Sequence, residues 1–181
     1  MIWFTSDLHL RHEKIISYSN RPFSDAEEMG RAILSNINEY VGIDDTLWIL
    51  GDICMGREKI QGCASFLAQL VCQDVRLVRG NHDVKQLELY EGIGFSEVTD
   101  LTEISLGGKK QKAVLCHYPM LSWNRSGHGS VMLHGHIHSE GDEYNLQNRR
   151  DGVRRYDVGV DANGFAPVSA DDIRRFFGIG V

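Results

Sequence analysis

Carboxylate, amide and imidazole side chains follow five apolar segments of the chain, each at the point where the segment ends. The five sets are Asp7-Leu8-His9, Gly51-Asp52, Gly80-Asn81-His82-Asp83, His117 and Gly135-His136-Ile137-His138. Oxygen and nitrogen donors without cysteine suit Mn²⁺, Fe, Zn²⁺ or Ni²⁺ better than Ca²⁺ or a structural zinc–thiolate site. The donors are too many for one ion, so they predict two ions about 3.5–4 Å apart that share a carboxylate.

Each motif taken alone has an ordinary explanation. A tripeptide such as Asp7-Leu8-His9 occurs by chance, and Gly51-Asp52 is a common junction between a strand and a turn. The histidine-rich stretch 135–138 could be an exposed loop on an edge strand. These explanations would have to hold separately at five strand ends, which favours a metal site.

The first half of the chain predicts a parallel sheet that would bring these strand ends together. The apolar segments 2–6, 46–50 and 75–78 have the composition of strands that are covered on both faces. Two predicted helices separate them. One opens at a capping pattern at Ser24 and the other runs near 57–71. The first has one apolar stripe, which consists of Ala26, Met29, Ile33, Ile37 and Val41. Alternating strands and helices form parallel sheets, and such sheets bind ligands at their carboxyl-terminal edge.

The second half predicts more strands. Segments 95–98, 101–106 and 111–116 lean towards β structure, and a hairpin turn is expected at 107–110. We therefore expect mainly antiparallel strands here. The polar stretch 139–155 is expected to be a solvated loop, 157–161 one more strand, and a last helix begins at Ser169. No linker divides the chain, which predicts a single domain over 1–181.

Composition limits the classes of function. The net charge is −6 and the isoelectric point is near 5.7, so an extended nucleic-acid surface is not expected. Small anionic substrates remain compatible, because bound metal would reverse the local sign of charge. The four cysteines form no C-x-x-C pair and predict reduced thiols. A strand that begins at Ile2 leaves no room for a signal peptide, and no apolar run is long enough to cross a bilayer. These features predict a cytoplasmic protein with no membrane partner, and they leave its oligomeric state open.

The five motifs, in this order, resemble the signature of the calcineurin-like metallophosphoesterases. Three further stretches, 20–23, 117–120 and 158–161, are similar to a compact bacterial and phage branch of that family. The resemblance implies an α/β (α+β) fold, namely a four-layer αββα sandwich of two mixed sheets flanked by helices. It places a dinuclear metal centre at the carboxyl-terminal rim of the strands. It also implies hydrolysis of a phosphoester by a hydroxide that bridges the two ions.

The resemblance also assigns roles by motif. One ion would be held by Asp7, His9 and His138, and the other by Asn81, His117 and His136, with Asp52 as the shared carboxylate. His82 would act on the leaving-group oxygen as general acid or charge stabiliser, and Asp83 would orient its imidazole. Mn²⁺ is the expected metal, with Fe, Zn²⁺ or Ni²⁺ as alternatives.

Three more residues are candidate substrate contacts on weaker grounds. Arg79 could bind phosphate, although an arginine at a strand end is as often paired with a carboxylate. His12 and Arg21 follow the first ligand loop and could line the pocket, although exposed loops are polar in any case.

The expected substrate is a small, nucleotide-like phosphate monoester or diester. A nuclease is one alternative, but the charge offers no basic groove. A non-catalytic metal-binding scaffold is another, and loss of His82 or of a ligand would mark it; all are present. A Ser/Thr protein phosphatase is disfavoured, because Gly51-Asp52 continues as Ile53-Cys54-Met55-Gly56 without the Asp-Arg-Gly of those enzymes.

Overall fold

Two mixed β-sheets, flanked by helices, make up the computed structural model, which describes residues 1–107 and 111–180. The strands are β1 (Ile2–Thr5), β2 (Thr46–Ile49), β3 (Asp74–Val78), β4 (Glu97–Thr99), β5 (Leu101–Ser105), β6 (Lys112–Cys116), β7 (Val131–His134), β8 (Arg155–Asp157) and β9 (Val168–Ser169). The helices are α1 (Glu13–Tyr18), α2 (Ala26–Tyr40), α3 (Lys59–Leu67), α4 (Glu88–Glu91), α5 (Glu143–Arg150) and α6 (Ala170–Phe176). The architecture confirms the predicted fold class.

The first sheet has the strand order β4-β3-β2-β1-β9. Strands β1 to β4 are parallel, and β9 is antiparallel to β1. Helix α2 covers one face through its predicted apolar stripe, all of which is buried. It begins one residue later than the capping pattern suggested, since the Asp25 carboxylate, not Ser24, accepts the Glu28 backbone N–H at 2.7 Å.

The second sheet has the order β5-β6-β7-β8. The directions of its strands correct the prediction that they are mainly antiparallel. Only β5 and β6 are antiparallel, whereas β6, β7 and β8 run parallel. Local residue patterns report strands but not their direction; the long connection 117–130 permits the crossover that parallel pairing requires. The β5–β6 pairing agrees with the expected hairpin, but positions 108–110 of its turn lie outside the described residues.

A shared core joins the two sheets. Phe4, Trp48 and Leu50 from the first sheet pack in one buried cluster with Leu115 and Leu133 from the second. This packing fixes the ends of β1, β2, β6 and β7 relative to each other. Because β3 is paired in parallel with β2, the five apolar segments end along one rim.

The polar stretch 139–155 is not the loop that we expected, because α5 occupies Glu143–Arg150. Its inward-facing residues are asparagines, so an apolar stripe is missing. Asn145 is buried and exchanges two hydrogen bonds with the backbone of Asp157, at 2.7 and 3.1 Å. The predicted strand at 157–161 is displaced as well, since β8 ends at Asp157 and a short 3₁₀ turn spans Val160–Ala162.

Three smaller outcomes concern helices and cysteines. Helix α3 is shorter than the predicted range 57–71 and buries Cys63 and Phe66, whereas Val71, the last residue of that range, is exposed. The last helix has the predicted cap at Ser169. All four cysteines are free, and within the described ranges no helix is long and apolar enough to cross a membrane.

Candidate metal centre

The donor side chains predicted from sequence meet at the rim of the two sheets. Their donor atoms form two groups, each within 4.8 Å: Asp7, His9 and His138 in one, and Asp7, Asp52 and His117 in the other. Asp52 Oδ2 lies 3.6 Å from His9 Nε2 and 3.5 Å from His117 Nε2. The Asp52 carboxylate therefore stands between a histidine of each group.

Asn81 and His136 lie on the His117 side. Asn81 Oδ1 is 3.0 Å from His117 Nε2, and the His136 ring centroid is 5.1 Å from that of His117. His117 Nδ1 lies 2.7 Å from the backbone carbonyl of Leu50. If Nδ1–H donates to that carbonyl, Nε2 keeps its lone pair for a ligand in the site.

Several donor atoms are buried without a hydrogen-bond partner among the described residues, namely Asp7 Oδ1 and both ring nitrogens of His9. Buried polar atoms of proteins nearly always have partners, so such a cluster calls for an explanation. The separations of 3.5–3.7 Å between carboxylate oxygens and imidazole nitrogens are too long for hydrogen bonds. They agree with two ligands of one cation, which are roughly 3–4 Å apart when each lies about 2.0–2.2 Å from the ion. The donor set therefore fits divalent metal.

The titration of these groups reflects their burial. Burial, partly opposed by His117 and His138, raises the pKa of Asp7 to about 6. Burial lowers the pKa of His9 to about 3. For Asp52 and His117 burial is outweighed by their mutual attraction, which lowers the pKa of Asp52 to about 2 and raises that of His117 to about 9. A bound cation would favour the ionised form of these carboxylates and the neutral form of these imidazoles.

The backbone at the site is strained. Left-handed φ values occur at five ligand candidates: Asp7 (58°), His9 (49°), Asp52 (56°), His136 (74°) and His138 (47°). Residues with a Cβ rarely adopt this conformation, and each instance costs about 1–3 kcal/mol, so it persists only where the surrounding structure enforces it. The sharp turns aim successive side chains of each loop into one site.

Two glycines let these loops approach each other. A Cβ at Gly80 would lie 2.2 Å from Asp52 Oδ1, and a Cβ at Gly135 would lie 2.2 Å from Asp7 Oδ2. Both contacts are shorter than any van der Waals distance. Without a side chain at Gly135, the His136 backbone N–H can donate to Asp7 Oδ2 at 2.9 Å.

Asp161 supports the site, and sequence reasoning gave it no role. Its Oδ2 lies 2.7 Å from His138 Nδ1, which leaves Nε2 of that ring 3.7 Å from Asp7 Oδ1. The Arg21 guanidinium binds both oxygens of Asp161 at 2.8 Å and donates to the carbonyls of Asp7 and Leu8. The two residues lie in stretches 20–23 and 158–161, whose sequences are similar to one branch of the calcineurin-like metallophosphoesterases. Only the fold shows that these two stretches meet.

Arg21 therefore differs from its predicted role as a substrate contact. Its side chain is fully buried, and all five of its N–H groups are used by Asp161, the two carbonyls and Met29 Sδ. No donor is left for a ligand in the pocket. Arg21 instead holds the backbone that carries the first ligands.

Asp83 also differs from prediction, since its carboxylate does not contact the His82 imidazole. It accepts the backbone N–H groups of Asp52 and Gly80 at 2.8 Å each, and its other oxygen receives Ile53 N–H and the Tyr90 hydroxyl at 3.3 Å. Asp83 therefore joins the loops after β2 and β3. A sequence motif shows that two residues are adjacent, but it does not show which way each side chain turns.

His82 lies at the open side of the site. Its side chain is 43% exposed, and its Nε2 is 4.0 Å from Asp52 Oδ2. Its backbone N–H donates to Asp52 Oδ1 at 2.8 Å, and the Lys59 ammonium donates to its carbonyl. The backbone of His82 is thus fixed while its imidazole faces solvent beside the donor cluster.

The two remaining substrate candidates lie near the site. The His12 ring centroid is 5.5 Å from that of His9, and burial lowers the pKa of His12. Arg79 pairs with Asp100 at 2.7 Å and donates to the carbonyl of Lys85 at 2.6 Å. This pairing agrees with the alternative explanation for Arg79. Its guanidinium also borders a groove beside Asn81.

Comparison with known proteins gives relatives along nearly the whole chain. The chain is 32% identical to an uncharacterized protein of Methanocaldococcus jannaschii over 94% of its length and 87% of the relative's. It is 30% identical to the gene 66 protein of Mycobacterium phage L5, covering 94% and 91%. A crystal structure of a protein of unknown function from Aquifex aeolicus matches with a TM-score of 0.74 and 24% identity, covering 97% and 98%. That likeness shows the fold.

A family model described as calcineurin-like phosphoesterase matches residues 1–162, which include all of the donor side chains above. This match confirms the resemblance drawn from the motifs. The chain belongs to the calcineurin-like phosphoesterases, which are hydrolases that cleave phosphoester bonds with the help of divalent metal ions.

Proposed function

We propose that this rim binds two divalent cations, with Mn²⁺ as the preferred metal, and hydrolyses a small phosphate monoester or diester. The observation that carries the proposal is the position of Asp52. One oxygen of its carboxylate lies 3.6 Å from His9 Nε2 and 3.5 Å from His117 Nε2. A carboxylate between two imidazoles that belong to different donor groups is placed to be shared by two ions.

The proposed ligand sets are those that the family resemblance implies, and the positions of the donor atoms support them. Asp7, His9 and His138 form the first. Asn81, His117 and His136 form the second, with Asp52 common to both. Asp7 lies within reach of both groups, so it also contributes negative charge to the second half of the site. A bound pair of divalent cations would neutralise phosphate charge and make hydroxide available near neutral pH.

The role of this chain's own residues centres on His82. Its imidazole is the one histidine ring of the 80–83 motif, and it is exposed on the side from which substrate would enter. We place its protonated ring beside the leaving-group oxygen, where Nε2–H would donate a proton as the P–O bond breaks. The Lys59 contact to the His82 carbonyl and the Asp52 contact to its N–H fix the backbone for this task.

The proposed partner is a small phosphorylated molecule that resembles a nucleotide. The net charge of −6 argues against a broad cationic surface for long nucleic acid. The local charge at the rim would be reversed by two cations, which suits a compact phosphate group.

The test is turnover of paired aryl phosphate monoesters and diesters by Mn²⁺-loaded protein, with metal content measured on the same samples. We expect chelator-sensitive hydrolysis. We also expect His82→Ala to lower kcat about 10²–10⁴-fold while two metal equivalents remain bound. The control is His128→Ala, which changes an exposed histidine of the short 3₁₀ turn before β7. Full activity of His82→Ala would refute its role. Metal binding without any turnover of the unmodified protein would support the scaffold alternative.

A further inference from the structure

A groove of about 550 Å³ runs from Asn81 along the ends of β3 and β6. It adjoins the proposed second metal, because Asn81, a proposed ligand of that metal, is one of its lining residues. It is lined by the charged residues Arg79, Asp83, Lys85 and Asp100 and by Leu101, Cys116 and Tyr118. Its volume is in the range of pockets that hold a small organic ligand.

Tyr118 gives the groove an aromatic wall. Its ring centroid lies 4.8 Å from that of His136 and 5.1 Å from that of His117, at steep angles of 68° and 77°. These contacts fix the ring beside the proposed ligands, and 45% of Tyr118 remains exposed. A fixed and partly exposed aromatic ring is suited to packing against another flat ring.

Leu101 and Cys116 extend the apolar wall away from the metal. They face each other across the β5–β6 pair, and Leu101 is 45% exposed although it is a large apolar residue. Leu101 lies on β5, an edge strand of the second sheet. An exposed apolar wall that continues from a catalytic site is a candidate surface for the organic part of a substrate.

The charged residues that line the groove carry both signs. The Arg79 guanidinium is fixed by Asp100, which also lines the groove, and by the Lys85 carbonyl. The formal charges of Arg79, Lys85, Asp83 and Asp100 cancel. The apolar and aromatic side chains are therefore what suits the groove to an organic ring.

We propose that this groove binds the organic group of the substrate and selects phosphoesters of aromatic alcohols, with the ring packed between Tyr118 and Leu101. This selectivity rests on the proposed function, because the phosphate must be held at the adjoining metal centre.

The test is calorimetric titration of Mn²⁺-loaded protein with two non-hydrolysable probes, 1-naphthylphosphonate and methylphosphonate. We expect the naphthyl probe to bind at least about tenfold more tightly. In Leu101→Trp, where the indole fills the groove, the ratio of the two affinities should fall to about one. The matched control is Leu121→Trp at a side chain that is 98% exposed, where the ratio should stay unchanged.

The outcomes separate the two proposals. Equal affinity of the unmodified protein for both probes, or an unchanged ratio in Leu101→Trp, would overturn the selectivity and leave the metal centre in place. Binding of neither probe would overturn the proposed function itself. Comparison of the probes on unmodified protein does not depend on any variant, so a folding defect in Leu101→Trp does not prevent a decision.

Discussion

The buried ion pair beneath the first ligand group should be essential to the stability of the metal-free protein. The Arg21 side chain is fully buried and that of Asp161 is 4% exposed, and two hydrogen bonds of 2.8 Å join them. Removing one partner of such a pair leaves a buried charge without compensation, which costs about 3–5 kcal/mol. Asp161→Asn keeps the shape of the side chain and one hydrogen-bond acceptor. We therefore expect the free energy of unfolding to fall by an amount at the lower end of this range, about 3 kcal/mol.

For a chain of this size, that loss corresponds to a decrease in Tm of about 6–12 °C. The assay is urea unfolding and calorimetry of the protein in excess chelator, so that lost metal does not contribute. The control is Glu27→Gln, which breaks the exposed pair with Arg31 and should change stability by no more than about 0.5 kcal/mol. A cost below about 1 kcal/mol for Asp161→Asn would refute the reasoning.

The same substitution should weaken metal binding. Asp161 Oδ2 lies 2.7 Å from His138 Nδ1, and a carboxylate in that position orients the imidazole and raises its basicity. We expect the affinity for the first ion to fall about 10–100-fold, measured by competition with a chromophoric chelator. An unchanged affinity would show that His138 needs no such support.

Three further predictions concern the loops, the metal and a helix cap. Gly135→Ala would place a Cβ 2.0 Å from Ser6 Oγ and 2.2 Å from Asp7 Oδ2, so chemical denaturation should show a loss of about 1–3 kcal/mol. Gly127→Ala, in open space, should show almost none. Removal of metal by a chelator should lower Tm, since a metal present at 100 times its Kd contributes about 2.7 kcal/mol; an unchanged Tm would argue against a bound metal. Asp25→Ala removes the cap of α2 and should cost about 1 kcal/mol by urea unfolding, with no effect on metal content.

The sequence was most informative where the period of apolar residues and the position of polar ones carried the signal. The stripe of α2 and the five strand ends could be predicted from burial. A helix with one buried face repeats its apolar residues every 3.6 positions, and a strand covered on both faces is a short continuous apolar run. The direction of β6, β7 and β8 could not, because it depends on the path of the connections. Helix α5 was missed because its buried positions are asparagines, which satisfy backbone groups of the neighbouring strand.

In the candidate site, too, some features could be predicted from local residue patterns and others depend on the fold. The donors could be found from residue types at strand ends, and the structure brings them together. The environment of Asp83 could not be found in this way, because its partners lie in the loop after β2 and in α4. The Arg21–Asp161 pair joins positions 140 residues apart, and nothing local marks it. Long-range polar contacts of this kind require the fold.

Anomalous diffraction from crystals soaked in Mn²⁺ would test most directly whether two cations share the Asp52 carboxylate. We predict two peaks about 3.5–4 Å apart, one beside His9 and the other beside His117, with Asp52 between them. A single peak, or peaks away from Asp52, would contradict a shared carboxylate.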